Sequence, residues 1–233
     1  MNDRPAPQIE VFEDREALAD AASGLIAGRL ARALRQRGRA AFLATGGSTP
    51  AETYRRLSRA PIDWSKVAVG LTDERWVPPT SPDSNERMVR ETLLVGPAAA
   101  AHFVPLWSEA QGPEAAARLA EPDVRALEPV DVVLLGVGED GHIASLFPGS
   151  PALERGLDPG AQRLCIGVPD GLPAPPQARI SLTLPALLHG LVVVLISGTA
   201  KRRALEAALA GADLPVRRVL AQPRVPVRIL WAA

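Results

Sequence analysis

The sequence holds one cysteine, Cys165, in 233 residues. That excludes an internal disulfide and any cysteine-rich metal site. Cys165 lies in the apolar run Leu164 to Val168, where a buried structural thiol is expected rather than a nucleophile. Neither sign of charge prevails, since 26 basic residues balance 26 acidic ones. No basic face for nucleic acid and no polybasic membrane patch is implied. Lysine is almost missing: Lys66 and Lys201 are the only two. Arginine is abundant enough that a single Arg carries little weight, whereas a lysine inside a motif carries more. No apolar run reaches membrane-spanning length, and the longest, Leu191 to Ile196, is strand-sized. The N-terminus, MNDRPAPQIEVFED, has no apolar signal core. A soluble cytoplasmic protein is expected. No internal repeat is present, and Pro173-Ala174-Pro175-Pro176 is too short to separate domains. One α/β domain over residues 1–233 is therefore expected, with no oligomeric state specified.

Several catalytic signatures are missing as well. There is no G-x-S-x-G elbow, no H-E-x-x-H, no Cys/His cluster and no P-loop spacing. No metal site is expected.

What is present alternates between helical and strand patterns. Asp14 suits the N-cap of a long amphipathic helix ending near Gly38. Ala40 to Ala44, Val67 to Leu71, Val132 to Leu135 and Leu191 to Ile196 are short apolar runs, read as strands buried on both faces. Helices are expected after Thr49, from Ser84 to Leu94, from Ala115 to Leu127 with an interruption at Pro122, and from Lys201 to Ala210. Arg179 to Leu184 alternates and reads as a strand covered on one side. Leu164 to Val168 and Val227 to Trp231 are further strands, and Phe103 to Leu106 a minor one. The alternation predicts a doubly wound, mostly parallel sheet with helices on both faces, a modified Rossmann-like α/β fold. In such sheets ligands bind beyond the carboxyl ends of the strands. Four polar loops fall there, at 45–50, 72–78, 136–148 and 197–201.

The loop at 136–148 carries Asp140 and His142 among Gly136, Gly138 and Gly141. The three glycines match a dinucleotide fingerprint, but that fingerprint needs a helix opening at the third glycine. Pro148 and Gly149 leave room for two turns at most. His142 is the credible general base, because imidazole exchanges protons near neutral pH. His102 and His189 lie in structural or surface contexts. Ser145, three residues after His142, could face it across a helical turn, but nothing supplies an elbow geometry for a nucleophile.

Gly46, Gly47, Ser48 and Thr49 form a glycine-rich turn feeding a helix. Its amides and hydroxyls suit a phosphate. The plainer alternative is a tight turn with Ser48 or Thr49 as N-cap. Lys201 opens another helix, where a cation is disfavoured unless an anion lies nearby. It is either a second hand on the same phosphate or a solvated lysine. Asp73 and Arg75 form either a structural ion pair or a functional one, in which Arg75 stabilises charge on a reacting oxygen.

With these residues in place, the chain resembles the 6-phosphogluconolactonases. The resemblance rests on Ala44 to Pro50, Thr72 to Pro78, Ser84-Asn85, Gly136 to Pro148, Arg179 to Thr183 and Gly198 to Lys201. The related glucosamine-6-phosphate deaminases share the Asp140-Gly141-His142 core. They differ where this chain has Ala144-Ser145-Leu146-Phe147-Pro148, Asp73-Glu74-Arg75 and Ser84-Asn85. The acidic tail common after the last tryptophan is missing beyond Trp231, which bears only on the final strand.

The resemblance implies hydrolysis of 6-phospho-D-glucono-1,5-lactone to 6-phosphogluconate in the oxidative pentose phosphate pathway, with no required cofactor. It adds Arg179 to the phosphate clamp. It implies His142 as base and Arg75 as oxyanion stabiliser, with Asp140 and Asp73 orienting them in either assignment. The rival readings are an aldose–ketose isomerase or deaminase, which needs a carboxylate base, and a sugar-phosphate sensor, which lacks His142 chemistry.

Overall fold

The computed structural model describes residues 7–169 and 176–233; most of the proline-rich segment 173–176 lies outside them. Ten strands follow in chain order: β1 (Ile9–Val11), β2 (Ala40–Ala44), β3 (Val67–Leu71), β4 (Asp73–Arg75), β5 (His102–Phe103), β6 (Val132–Leu135), β7 (Cys165–Val168), β8 (Arg179–Leu182), β9 (Leu191–Ser197) and β10 (Val227–Ala232). The helices are α1 (Arg15–Arg37), α2 (Ser48–Leu57), α3 (Asn85–Thr92), α4 (Pro113–Ala126), α5 (Leu153–Leu157), α6 (Leu184–Leu187), α7 (Thr199–Leu209) and α8 (Arg217–Leu220). None is long and apolar enough to cross a membrane.

Seven strands form a parallel sheet in the order β1-β10-β9-β6-β2-β3-β5. Every residue of β2 and β6 is buried, as their unbroken apolar runs require. From β2 the chain winds outward through β3 to β5. It then returns to the other side of β2 and winds through β6, β9 and β10. The direction reverses between β2 and β6, which opens a crevice at their carboxyl ends. The loops after β2, β3, β6 and β9 therefore meet there.

Local sequence explains the ends of α1. Asp14 accepts a hydrogen bond from the Ala17 amide at 2.8 Å, and Gly38 closes the helix with φ 71°. Leu18, Ala22, Ile26, Leu30 and Ala33 are its buried stripe.

The sequence reading needs five corrections. Asp73 to Arg75 is a strand, not loop. With β8 and β7 it forms a second, antiparallel sheet in the order β4-β8-β7. β8 is buried on both faces rather than one, because α4 packs against β7 and β8 while Ser145 of the loop after β6 donates to Ser181 Oγ at 3.2 Å. Pro122 does not interrupt α4; it is exposed, so the carbonyl it leaves unpaired can reach water. The minor strand is shorter and earlier than expected, at His102–Phe103. β1, too short to show a period, was not anticipated; it extends the sheet along β10.

Candidate active site

The turn after β2 is held from behind. Tyr54 on α2 accepts from the Thr45 amide and donates to the Thr45 carbonyl, both at 2.8 Å. Burial pushes the Tyr54 phenol far above its ordinary range, against the lowering effect of the Thr45 bond, so it stays a neutral clamp. Gly46 has no room for a side chain: a Cβ there would lie 2.0 Å from Asn85 Oδ1. Gly47, at φ 110°, is the N-cap of α2, and no side chain caps the helix. The alternative of a Ser48 or Thr49 cap is thus not realised; a glycine caps the helix, which leaves first-turn amides without intrahelical partners. Ser48 and Thr49 occupy the first turn and line a separate depression with Arg15 and Glu52. The Thr49 hydroxyl lies 2.8 Å from Ser197 Oγ, joining this turn to the one after β9.

That second turn is built alike. Gly198 caps α7 at φ 87°, again with no side-chain cap. Its carbonyl accepts from Trp231 Nε1 at 2.9 Å, and its amide donates to the Ala232 carbonyl at 3.0 Å. The C-terminal strand therefore fixes the helix that carries Lys201.

The loop after β6 forms no helix at Gly141, so the dinucleotide reading fails in the structure too. Gly138 lets the loop fold onto itself, since a Cβ there would lie 2.1 Å from His142 Nδ1. Asp140 Oδ1 lies 2.6 Å from His142 Nδ1 and also accepts the His142 amide at 3.2 Å. A carboxylate at Nδ1 selects the tautomer whose Nε2 carries the lone pair. Ile143 to Leu146 then make a tight turn, closed by a 2.9 Å bond from the Leu146 amide to the Ile143 carbonyl. Ala144 sits in it at φ 47°, a conformation that costs a non-glycine residue about 1 kcal/mol or more. Ser145 does not face His142. It is fully buried and donates to Asp73 Oδ2 at 2.7 Å.

Asp73 therefore hydrogen-bonds neither His142 nor Arg75. Its second oxygen accepts from Thr72 Oγ1 at 3.2 Å, and its carbonyl from Asn85 Nδ2 at 2.8 Å. Arg75 donates instead to the Asp83 carbonyl. Arg75 and Arg179 are register partners on β4 and β8. The Nε of each is buried without a hydrogen-bond partner. Burial holds the Arg179 guanidinium below its ordinary range; Asp73 raises it and the neighbouring Arg75 lowers it further.

Glu74, which sequence reasoning passed over, points the other way. It is fully buried and accepts from the amides of Arg75, Asn85 and Glu86 and from Ser84 Oγ. It anchors the start of α3, and Ser84 adds a side-chain cap there. Desolvation pushes its carboxyl up to about 7, while the four hydrogen bonds pull down. The signal available in the sequence was an acid ten residues before a helix start, too remote to pair by local rules.

These elements converge. Gly46, Gly47, Asp73, Arg75, His142, Arg179 and Lys201 line one cleft of about 280 Å³, with Thr45, Asn85, Val137 and Ala144. Asp140, bonded to His142 Nδ1, is not among the lining residues. Ser48 and Thr49 are not among them either. Cys165 is buried, with desolvation pushing its thiol up to about 12, as expected of a structural cysteine. His102 is exposed, and His189 lies 3.7 Å from Glu128 in a different depression.

Residues 13–231 match the family model for glucosamine-6-phosphate isomerases/6-phosphogluconolactonase. The chain is 49% identical over 226 residues to a 6-phosphogluconolactonase of Caulobacter vibrioides, covering 97% of each. It is 43% identical over 230 residues to one of Rhizobium meliloti, covering 96% of this chain and 98% of that one. A crystal structure of a 6-phosphogluconolactonase from Shewanella baltica superposes with a TM-score of 0.92 at 37% identity, covering both chains fully. Fold, cleft and likeness agree: the chain belongs to the glucosamine-6-phosphate isomerase/6-phosphogluconolactonase family.

Proposed function

We propose that this chain hydrolyses 6-phospho-D-glucono-1,5-lactone to 6-phospho-D-gluconate, the lactonase step of the oxidative pentose phosphate pathway. The observation that carries the reading is one cleft in which an Asp140-oriented imidazole faces the same space as Arg75, Arg179, Lys201 and the N-terminus of α2. His142 Nε2 takes a proton from water as its oxygen attacks the lactone carbonyl carbon. Arg75 stabilises the oxyanion that develops. The bond from that carbon to the ring oxygen then breaks, and His142 returns the proton to the ring oxygen. The amides of Gly46 and Gly47, with Arg179 and Lys201, hold the 6-phosphate, while Ser48 and Thr49 support the turn from outside the cleft. Asp73 acts through Ser145 and Thr72 to keep the loops in place.

The test is hydrolysis by the purified protein, measured as acid release above the spontaneous background. The phosphorylated lactone should be hydrolysed far faster than unphosphorylated gluconolactone. No acceleration of the phosphorylated lactone, or equal rates on both, overturns the proposal.

A further inference from the structure

Phe147 is nearly fully buried and does not line the cleft, so it cannot touch a ligand there. It touches two residues that do. Its ring centroid lies 4.3 Å from that of His142, with planes inclined at 51°. The Arg179 guanidinium carbon lies 5.1 Å from the same centroid. These two residues come from different sheets, one on the loop after β6 and the other on β8. Arg179 has no hydrogen bond at its buried Nε. Asp140 touches the His142 ring only at Nδ1 and does not by itself set the tilt of the ring.

We propose that Phe147 is a positioning residue that seats the His142 imidazole and the Arg179 guanidinium against one ring, tying the proton-transfer group to the phosphate clamp. A guanidinium within about 6 Å of an aromatic centroid is attracted by the ring quadrupole. The imidazole packs against the same ring as a tilted aromatic pair. The ring thus limits where each neighbour can go. The proposal rests on the lactonase reading for its catalytic consequence, but not for the contacts.

The experiment compares wild type with Phe147→Leu and Phe147→Met, each checked for cooperative unfolding. Both keep most of the apolar volume and remove the ring. The charged groups near His142 are Asp140, bonded to it on its own loop, and, lining the same cleft, Asp73 and Arg75 on β4, Arg179 on β8 and Lys201 on α7. None of them changes in these variants. NMR relaxation of the imidazole ring carbons, assigned with His142→Asn, and calorimetric binding of inorganic phosphate need no turnover. The expected result is a His142 ring that is more mobile than in wild type and phosphate binding weakened about threefold. With the lactone, kcat should fall and KM should rise together. If either the His142 ring mobility or the phosphate affinity stays at its wild-type value in a folded variant, one ring does not tie the two groups and the proposal is overturned. Wild-type protein inactive on the lactone would sink the lactonase reading alone, because the ring relaxation and phosphate binding still decide the role of Phe147.

Discussion

Arg75 and Arg179 stand directly opposite each other on antiparallel strands, and each has a buried Nε without a hydrogen-bond partner. Like charges opposite each other on neighbouring strands destabilise a sheet. Buried donors left unpaired add to that cost. The arrangement suits a protein whose ligand is an anion, and it makes stability depend on that ligand.

Arg179→Met should therefore cost no more than about 1 kcal/mol of stability in the absence of anions, against the 3–5 kcal/mol typical of breaking a buried ion pair. Inorganic phosphate at about 100 times its dissociation constant should stabilise wild type by about 2.7 kcal/mol and the variant much less. Thermal unfolding with and without phosphate measures both. A large loss without phosphate would mark Arg179 as a structural partner of Asp73.

His142→Ala should lower kcat by about 10²–10⁴ while leaving the fold and phosphate binding intact. Asp140→Asn should lower kcat less, through the wrong tautomer, with little change in KM. Asp140 is about half exposed, so the variant should fold normally. Steady-state kinetics beside an unfolding curve decide it; near-normal turnover by folded His142→Ala would remove the imidazole from the mechanism.

Lys201→Ala should raise KM for the phosphorylated lactone strongly and barely affect the slow hydrolysis of gluconolactone, which cannot use the clamp. Lys201 lines the cleft from the first turn of α7, where a helix N-terminus disfavours a cation in the absence of an anion. Some loss of kcat is allowed, since remote phosphate binding can position the ring. Equal losses on the two substrates would move Lys201 out of the clamp.

Glu74 gives a pH signature. Its carboxyl, pushed up to about 7 by burial from an ordinary 4.5, binds a proton more tightly in the folded chain than in the unfolded one. Its stabilising contribution is full below about pH 4.5 and is lost as pH rises through about 7. The stability of wild type relative to Glu74→Gln should fall by about 3 kcal/mol across that window. Denaturant unfolding at closely spaced pH values measures the difference. A constant difference would mean that the amides at the start of α3 keep the carboxylate ionised throughout.

Much of this molecule is legible along the chain. Apolar runs such as Val132 to Leu135 lie buried in the parallel sheet because strands covered on both faces tolerate no polar position. The placing of Asp140 and His142 in a glycine turn was also local information, since a two-residue separation brings their side chains together without help from the rest of the fold. What the sequence could not settle was which acid serves which base. Asp73 lies two residues from Arg75 but bonds to Ser145, 72 positions away, because β4 belongs to a second sheet whose partner strand comes over a hundred residues later. That sheet also turned Ser145 from a candidate nucleophile into a buried brace and set Arg179 opposite Arg75. Hydrophobic period reports how an element is covered, and local spacing reports what neighbours along the chain can touch. Pairings between distant strands are decided only when the chain closes on itself.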